Sequence, residues 1–212
     1  MNAENYTCVF IAAGMGTRIG NIVKDSPKSF LEIDGKKIIE HHLDNINNLG
    51  IKKAIFVVGY QKEQFYNHIG YKYKNVEVEY VDSPDYATTG HGWSTFLSSK
   101  AWKKDKTPIL FIHADVFADP RILQEALESE HDNILMCDEN YKVNTGDECT
   151  IRAEENKITG IYFDNKKDQD QMAGELVGIN KWSLQFTEQF YSFLEEFFKK
   201  NNKKSSYISS SL

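Results

Sequence analysis

Two hundred and twelve residues with a 41% apolar and 13% aromatic share suffice for one α/β domain with a substantial core, and exclude a disordered chain. The net charge of −6, with no dense basic stripe before the last helix, argues against nucleic-acid binding, which depends on neutralising phosphates. No charged-then-apolar leader opens the chain and no apolar run approaches about 18 residues, so a cytoplasmic protein without membrane insertion is expected.

Apolar runs alternate with helical patterns, the sequence form of a parallel sheet covered by helices on both faces. Residues 7–12 predict a first buried strand that carries Cys8 as a small core side chain. Ile38, Ile39, His42, Leu43, Ile46 and Leu49 recur at three- and four-residue spacing and predict a helix ending at Gly50. Residues 54–58 read as a second buried strand, and the alternation over 76–81 as a half-exposed third. Residues 95–102 read as a helix. Pro108 precedes a strand over 109–112 that delivers His113, Ala114 and Asp115 at its end. A helix over 120–127 follows, then strands over 133–137, 149–153 and 157–163, with polar loops over 140–148 and 164–172. The last helix spans 184–200, and Lys199, Lys200, Lys203 and Lys204 fit a charge preference at its C-terminus. Three cysteines, Cys8, Cys137 and Cys149, are an odd number without metal-like spacing, which argues against a disulfide framework or a zinc site. No linker splits the 212 residues, so one domain is expected.

The first strand breaks into Ala12-Ala13-Gly14-Met15-Gly16-Thr17-Arg18, and Lys28 follows ten residues later, preceded by Pro27. Consecutive amides in a glycine turn form an anion-binding concavity, and Arg18 and Lys28 place two cations beside it. A dinucleotide fingerprint fails because the third glycine, Gly20, comes one position late and the second strand ends in Gly59-Tyr60-Gln61 without an acid. No Walker A pattern is present. What remains, G-x-G-T-R and a distant lysine, resembles the signature of the pyrophosphorylase-type nucleotidyltransferases. The resemblance implies a three-layer αβα, Rossmann-like fold with a mixed, mostly parallel sheet. It implies that the glycine turn wraps a nucleoside triphosphate, that Arg18 holds the β and γ phosphates and that Lys28 reaches the α-phosphate.

The same resemblance makes Asp115 a ligand of Mg²⁺, a cation that prefers hard oxygen ligands, with Ala114 beside it at the nucleotide. Asp119 is better placed than Asp115 to cap the helix at Pro120. His113 reads as a structural or nucleotide-packing residue. The segment from Ser83 to Ser94 is rich in glycine and threonine; Thr88, Thr89 and Gly90 are the expected base contacts, with Ser94 either joining them or capping a helix. Gly174-Glu175-Leu176-Val177-Gly178-Ile179-Asn180-Lys181-Trp182-Ser183 resembles a string of the cytidylyltransferases that activate phosphocholine or phosphonates. Glu175, with Lys166 or Lys167, is then the expected acceptor contact, against a plain reading as an edge-strand glutamate and solvated lysines. Tyr141, Tyr162 and Trp182 are candidates for an aromatic cage around a quaternary ammonium.

The implied reaction is attack of an acceptor phosphate or phosphonate oxygen on the α-phosphorus of CTP, or another NTP, with release of pyrophosphate. Phosphocholine, a phosphonate or a phosphoglutamine-like compound is the implied acceptor, for decoration of surface polysaccharide or lipid, and oligomerisation is left open. Family members normally continue into a strand with an acidic pair that completes the metal site, and no such pair follows the last helix here. The expectation is that this segment is missing from the sequence or that a ligand comes from elsewhere. A hexose-1-phosphate nucleotidyltransferase using UTP, dTTP or GTP, and an inactive nucleotide-binding domain, are the alternatives.

Overall fold

The computed structural model describes residues 2–16, 25–140, 149–155, 157–163 and 172–201. Strand β1 (Thr7–Ala12) leads through a small hairpin, β2 (Glu32–Ile33) and β3 (Lys36–Lys37), into α1 (Ile38–Asn48). Then come β4 (Lys53–Val58), α2 (Lys62–His68), β5 (Lys72–Tyr73), β6 (Val76–Asp82), α3 (His91–Trp102), β7 (Ile109–His113) and α4 (Pro120–Glu128). The remaining described elements are β8 (Ile134–Asp138), β9 (Cys149–Glu154), β10 (Lys157–Phe163), β11 (Gly174–Trp182) and α5 (Leu184–Lys200).

Among the described residues one nine-stranded sheet runs β10-β9-β11-β7-β1-β4-β6-β5, with β8 paired to β11 beside this path. The four strands β7, β1, β4 and β6 are mutually parallel, and β11 joins β7 antiparallel. The sheet is therefore mixed, as the resemblance implied. Central strands read as unbroken apolar runs because both of their faces are covered. Cys8, Phe10 and Phe56 face α1, α2 and α4, with Phe10 stacked on Phe56 at 4.6 Å. Val9, Ile55 and Val57 face α3 and α5, where Phe111 stacks on Trp182 at 4.6 Å and the Ser98 and Tyr191 hydroxyls lie 2.7 Å apart. Among the described residues no helix is long and apolar enough to cross a membrane.

Besides the two-residue strands β2, β3 and β5, which no pattern announced, three longer elements differ from the sequence expectation. Helix α2 lacks a periodic pattern because only Phe65 is buried, and it opens on Gln61 in the left-handed region (φ 52°). Helix α3 begins four residues earlier than expected. Its buried face includes Gly92, Ser94, Thr95, Ser98 and Ser99, small and mostly polar residues that do not read as apolar spacing. The Gly174 string forms β11, and it is no edge: Glu175 pairs with Asp138 on one side and Thr150 on the other. Its register slips between Leu176 and Asn180, at Gly178 (φ +83°), where a Cβ would stand 2.7 Å from the His113 ring. Only glycine fits both that backbone and that neighbour.

Candidate active site

Parallel strands place their carboxyl ends along one edge, and ligands of open α/β sheets bind outside that edge. Here the ends of β1 and β7, the segment after β6 and the start of β11 enclose a cleft of about 620 Å³. Its floor is the turn from Ala12 to Gly16. Gly16 takes φ +67°, and among the described residues a Cβ on Gly14 would meet no atom within 4 Å, so the backbone there faces the cleft. The turn is held from behind by the Tyr60 amide, which donates to the Ala13 carbonyl at 3.1 Å. Gly59 permits this approach, because a Cβ there would lie 2.9 Å from that carbonyl and 2.6 Å from Tyr86 Cβ.

Lys28 opens a short 3₁₀ turn after Pro27 and reaches across the cleft, its ammonium 3.4 Å from the Asp115 carboxylate. The loop that carries Asp115 continues β7 and is tied to β1 by Ala114 N–H donating to Ile11 O at 3.3 Å. As expected, Asp119 caps α4, accepting from Arg121 N–H at 2.9 Å, which leaves Asp115 free of that role.

The inner wall is formed by His91 at the first position of α3 and His113 at the end of β7, ring centroids 4.5 Å apart. Burial, reinforced by the neighbouring His113, lowers the His91 pKa to about 3, and burial likewise lowers that of His113. The pair is thus a neutral polar wall. Thr89 and Gly90 line the same side. The Thr88 and Thr89 hydroxyls both donate to the Asp85 carbonyl, at 3.3 and 2.9 Å, which shapes the turn before α3. The opposite wall holds Glu175, Leu176 and Cys149. Burial and the nearby Glu175 charge push the Cys149 thiol up to about 12, so it is protonated and no nucleophile at neutral pH.

The structure thus gathers Ala12, Ala13, Gly14, Met15, Gly16, Lys28, Thr89, Gly90, Ala114, Asp115 and Glu175 around one cleft, together with Ser94. Thr88 stands just outside its lining. Thr17, Arg18, Lys166, Lys167 and Tyr141 lie outside the described residues. The aromatic cage is corrected: Trp182 is buried against Phe111, and Tyr162 sits on β10 under the Arg152 guanidinium, so neither lines the cleft. Among the described residues Tyr86 does line it, and no spacing in the sequence pointed to it. In the Gly174 string, Lys181 is fully buried with its ammonium donating to Ser129 O at 2.9 Å, and Ser183 caps α5. Those two positions serve the fold.

Residues 8–152 match the model of the MobA-like NTP transferase domain. The chain is 24% identical to CMP-5′-(3-aminopropyl)phosphonate synthase of Streptomyces rubellomurinus over 89% of its own length, but spans only 30% of that protein. It is 37% identical to a UTP–glucose-1-phosphate uridylyltransferase of Haloferax volcanii over 41% of its length and 36% of the relative's. It is 26% identical to the choline-phosphate cytidylyltransferase of Streptococcus pneumoniae over 89% of its length and 75% of the relative's. The solved inositol-1-phosphate CTP transferase from T. maritima superposes with a TM-score of 0.73 at 20% identity, over 99% of this chain and 79% of that one. With that fold, and with a matched segment that carries the glycine turn, Lys28 and Asp115, the chain belongs to the MobA-like NTP transferase domain family.

Proposed function

We propose that the protein transfers CMP from CTP to a small phosphorylated or phosphonylated acceptor and releases pyrophosphate. The observation that carries this reading is the meeting of an open glycine turn, Lys28 and Asp115 in one cleft, with Glu175 on the facing wall. The turn offers backbone amides to the triphosphate, and Lys28 neutralises charge that builds on the α-phosphate as the acceptor oxygen attacks. The new bond joins that oxygen to the α-phosphorus, and the bond from the α-phosphorus to the bridging oxygen breaks. Pyrophosphate leaves with the electron pair. An ionised acceptor needs no strong base, and positioning with charge neutralisation carries such transfers.

The donor set suits Mg²⁺ in one particular way. Among the described residues no group of three or more His, Cys, Asp or Glu side chains could hold a metal ion by itself. Asp115, one half-exposed carboxylate at a strand end, fits a cation that keeps waters and shares the triphosphate's own oxygens. When bound, Mg²⁺ would supply charge neutralisation across the triphosphate. Preference for CTP is supported by the Gly174-Glu175 string and by the activities for which the phosphonate and choline-phosphate relatives are named. Glu175 suits an acceptor carrying a cationic or hydroxyl group. The uridylyltransferase relative favours a second reading, a sugar-1-phosphate acceptor with UTP.

A matrix of four NTPs against phosphocholine, an aminoalkylphosphonate, phosphoglutamine and glucose 1-phosphate, read as released pyrophosphate, tests both. Release with CTP and one of the first three supports the proposal. Release with UTP and glucose 1-phosphate alone replaces it with the second reading, and no release with any pair rejects both.

A further inference from the structure

Helix α1 touches both sides of the Lys28–Asp115 pair. Its first amide, Ile38 N–H, donates to the Leu31 carbonyl at 2.9 Å, which ties the helix to the turn that begins at Lys28. One turn later His41 and His42 reach the other side. The His41 ring meets Phe117 edge-on at 5.1 Å while its Nε2 bonds the Ile33 carbonyl of β2 at 3.1 Å. His42 is 4% exposed, packs on Phe10 of β1 at 5.5 Å, and its Nε2 lies 2.6 Å from the Val116 carbonyl. A carbonyl only accepts, so His42 is the donor there. Val116 is the residue directly after Asp115, and its own amide closes the turn on His113 O at 3.2 Å. The His42 bond therefore fixes the far end of the short loop that presents the Asp115 carboxylate to the cleft.

We infer that His42 is a positioning residue: by holding Val116 it sets where the Asp115 carboxylate stands relative to the glycine turn, and so the affinity for a divalent cation bound with nucleotide. The inference rests on the reading of Asp115 as a metal ligand. It also explains a buried polar side chain on the apolar face of α1, where leucine would pack equally well. Groups that act on a metal through a ligand change its affinity by about 10- to 100-fold when removed.

The test is Mn²⁺ binding followed by the loss of the free-ion paramagnetic resonance signal, with CTP present and no acceptor, so that turnover plays no part. His42→Leu keeps the volume and removes the donor. It should weaken Mn²⁺ binding about tenfold, while His42→Gln, whose amide reaches as far as Nε2, should restore it to within about threefold. Where His42→Leu does not fold, His42→Asn, with an amide one bond too short, carries the same comparison. Asp115→Asn separates the two levels of the argument. If Asp115→Asn weakens Mn²⁺ binding while the His42 variants bind as the parent does, His42 serves the fold only and the inference falls. If Asp115→Asn itself leaves binding unchanged, the metal reading falls and takes the inference with it.

Discussion

Lys28 and Asp115 face each other across 3.4 Å, two opposite charges whose proposed partners are an α-phosphate and a cation. In water-exposed surroundings such a pair contributes little to stability, so removing Lys28 should leave the fold intact and expose a purely chemical loss. Lys28→Ala is expected to lower turnover by roughly 10²–10³-fold with a smaller change in KM for the nucleotide. Pyrophosphate release measures it, and turnover within about twofold of the parent would remove the lysine from the mechanism. Two glycines give a sharper contrast. A methyl group on Gly14 meets no atom of the described residues within 4 Å, so Gly14→Ala should keep the urea midpoint while nucleotide binding weakens about tenfold or more as the methyl enters the cleft. Gly178 has φ +83°, and a Cβ there would stand 2.7 Å from the His113 ring, so Gly178→Ala should cost about 1–3 kcal/mol of stability. Urea unfolding of the two variants side by side tests both; equal midpoints would contradict the strain argument.

At the level of elements, legibility followed burial. Strands β1, β4 and β7 could be read because both their faces are covered and their interiors are apolar, and with them came the strand ends that carry the turn and Asp115. The first turn of α3, from His91 to Ser94, went unread because its buried residues are Gly92 and Ser94 rather than apolar side chains. The Gly174 string could be read as a motif and otherwise only as an edge strand, since a bulge at Gly178 breaks the alternation on which strand reading depends. What the string does was also mixed in a way that spacing hides: Glu175 faces the cleft, whereas Lys181 points into the core and satisfies Ser129. Burial lowers the Lys181 pKa, a cost accepted for that bond. Lys181→Met should therefore change stability and leave the acceptor KM within about twofold, whereas Glu175→Gln should raise that KM by roughly tenfold or more, about 1.4 kcal/mol. A roughly tenfold rise for Lys181→Met would return that lysine to the acceptor site.

For the molecule as a whole, the neutral histidines that organise the site make stability depend on pH. In the unfolded chain a histidine takes a proton near about pH 6.5. Burial, only partly offset by the bond to Val116, holds His42 down at about 4, and burial beside His113 holds His91 at about 3. Between 6.5 and about 4 the unfolded chain thus binds protons that the native protein refuses. The stabilisation is complete above about pH 6.5 and is lost as the pH falls, at about 1.4 kcal/mol per pH unit for each histidine. A later loss follows at Asp44 on α1. Burial would raise its carboxyl, but hydrogen bonds from Lys36, Lys74 and Tyr73 outweigh that and hold it at about 2, so its contribution disappears only below the usual carboxylate range. Going from about pH 7.5 to about 5.0 should then remove roughly 3–4 kcal/mol, a large part of what a single domain possesses. Urea titrations at the two pH values measure the difference. His42→Gln removes one of these titrating rings and keeps the donor, so it should make the slope shallower while the metal affinity stays within about threefold of the parent's. A parent protein equally stable at both pH values would mean that these rings are not held neutral in the fold, and the neutral wall of the cleft would go with them.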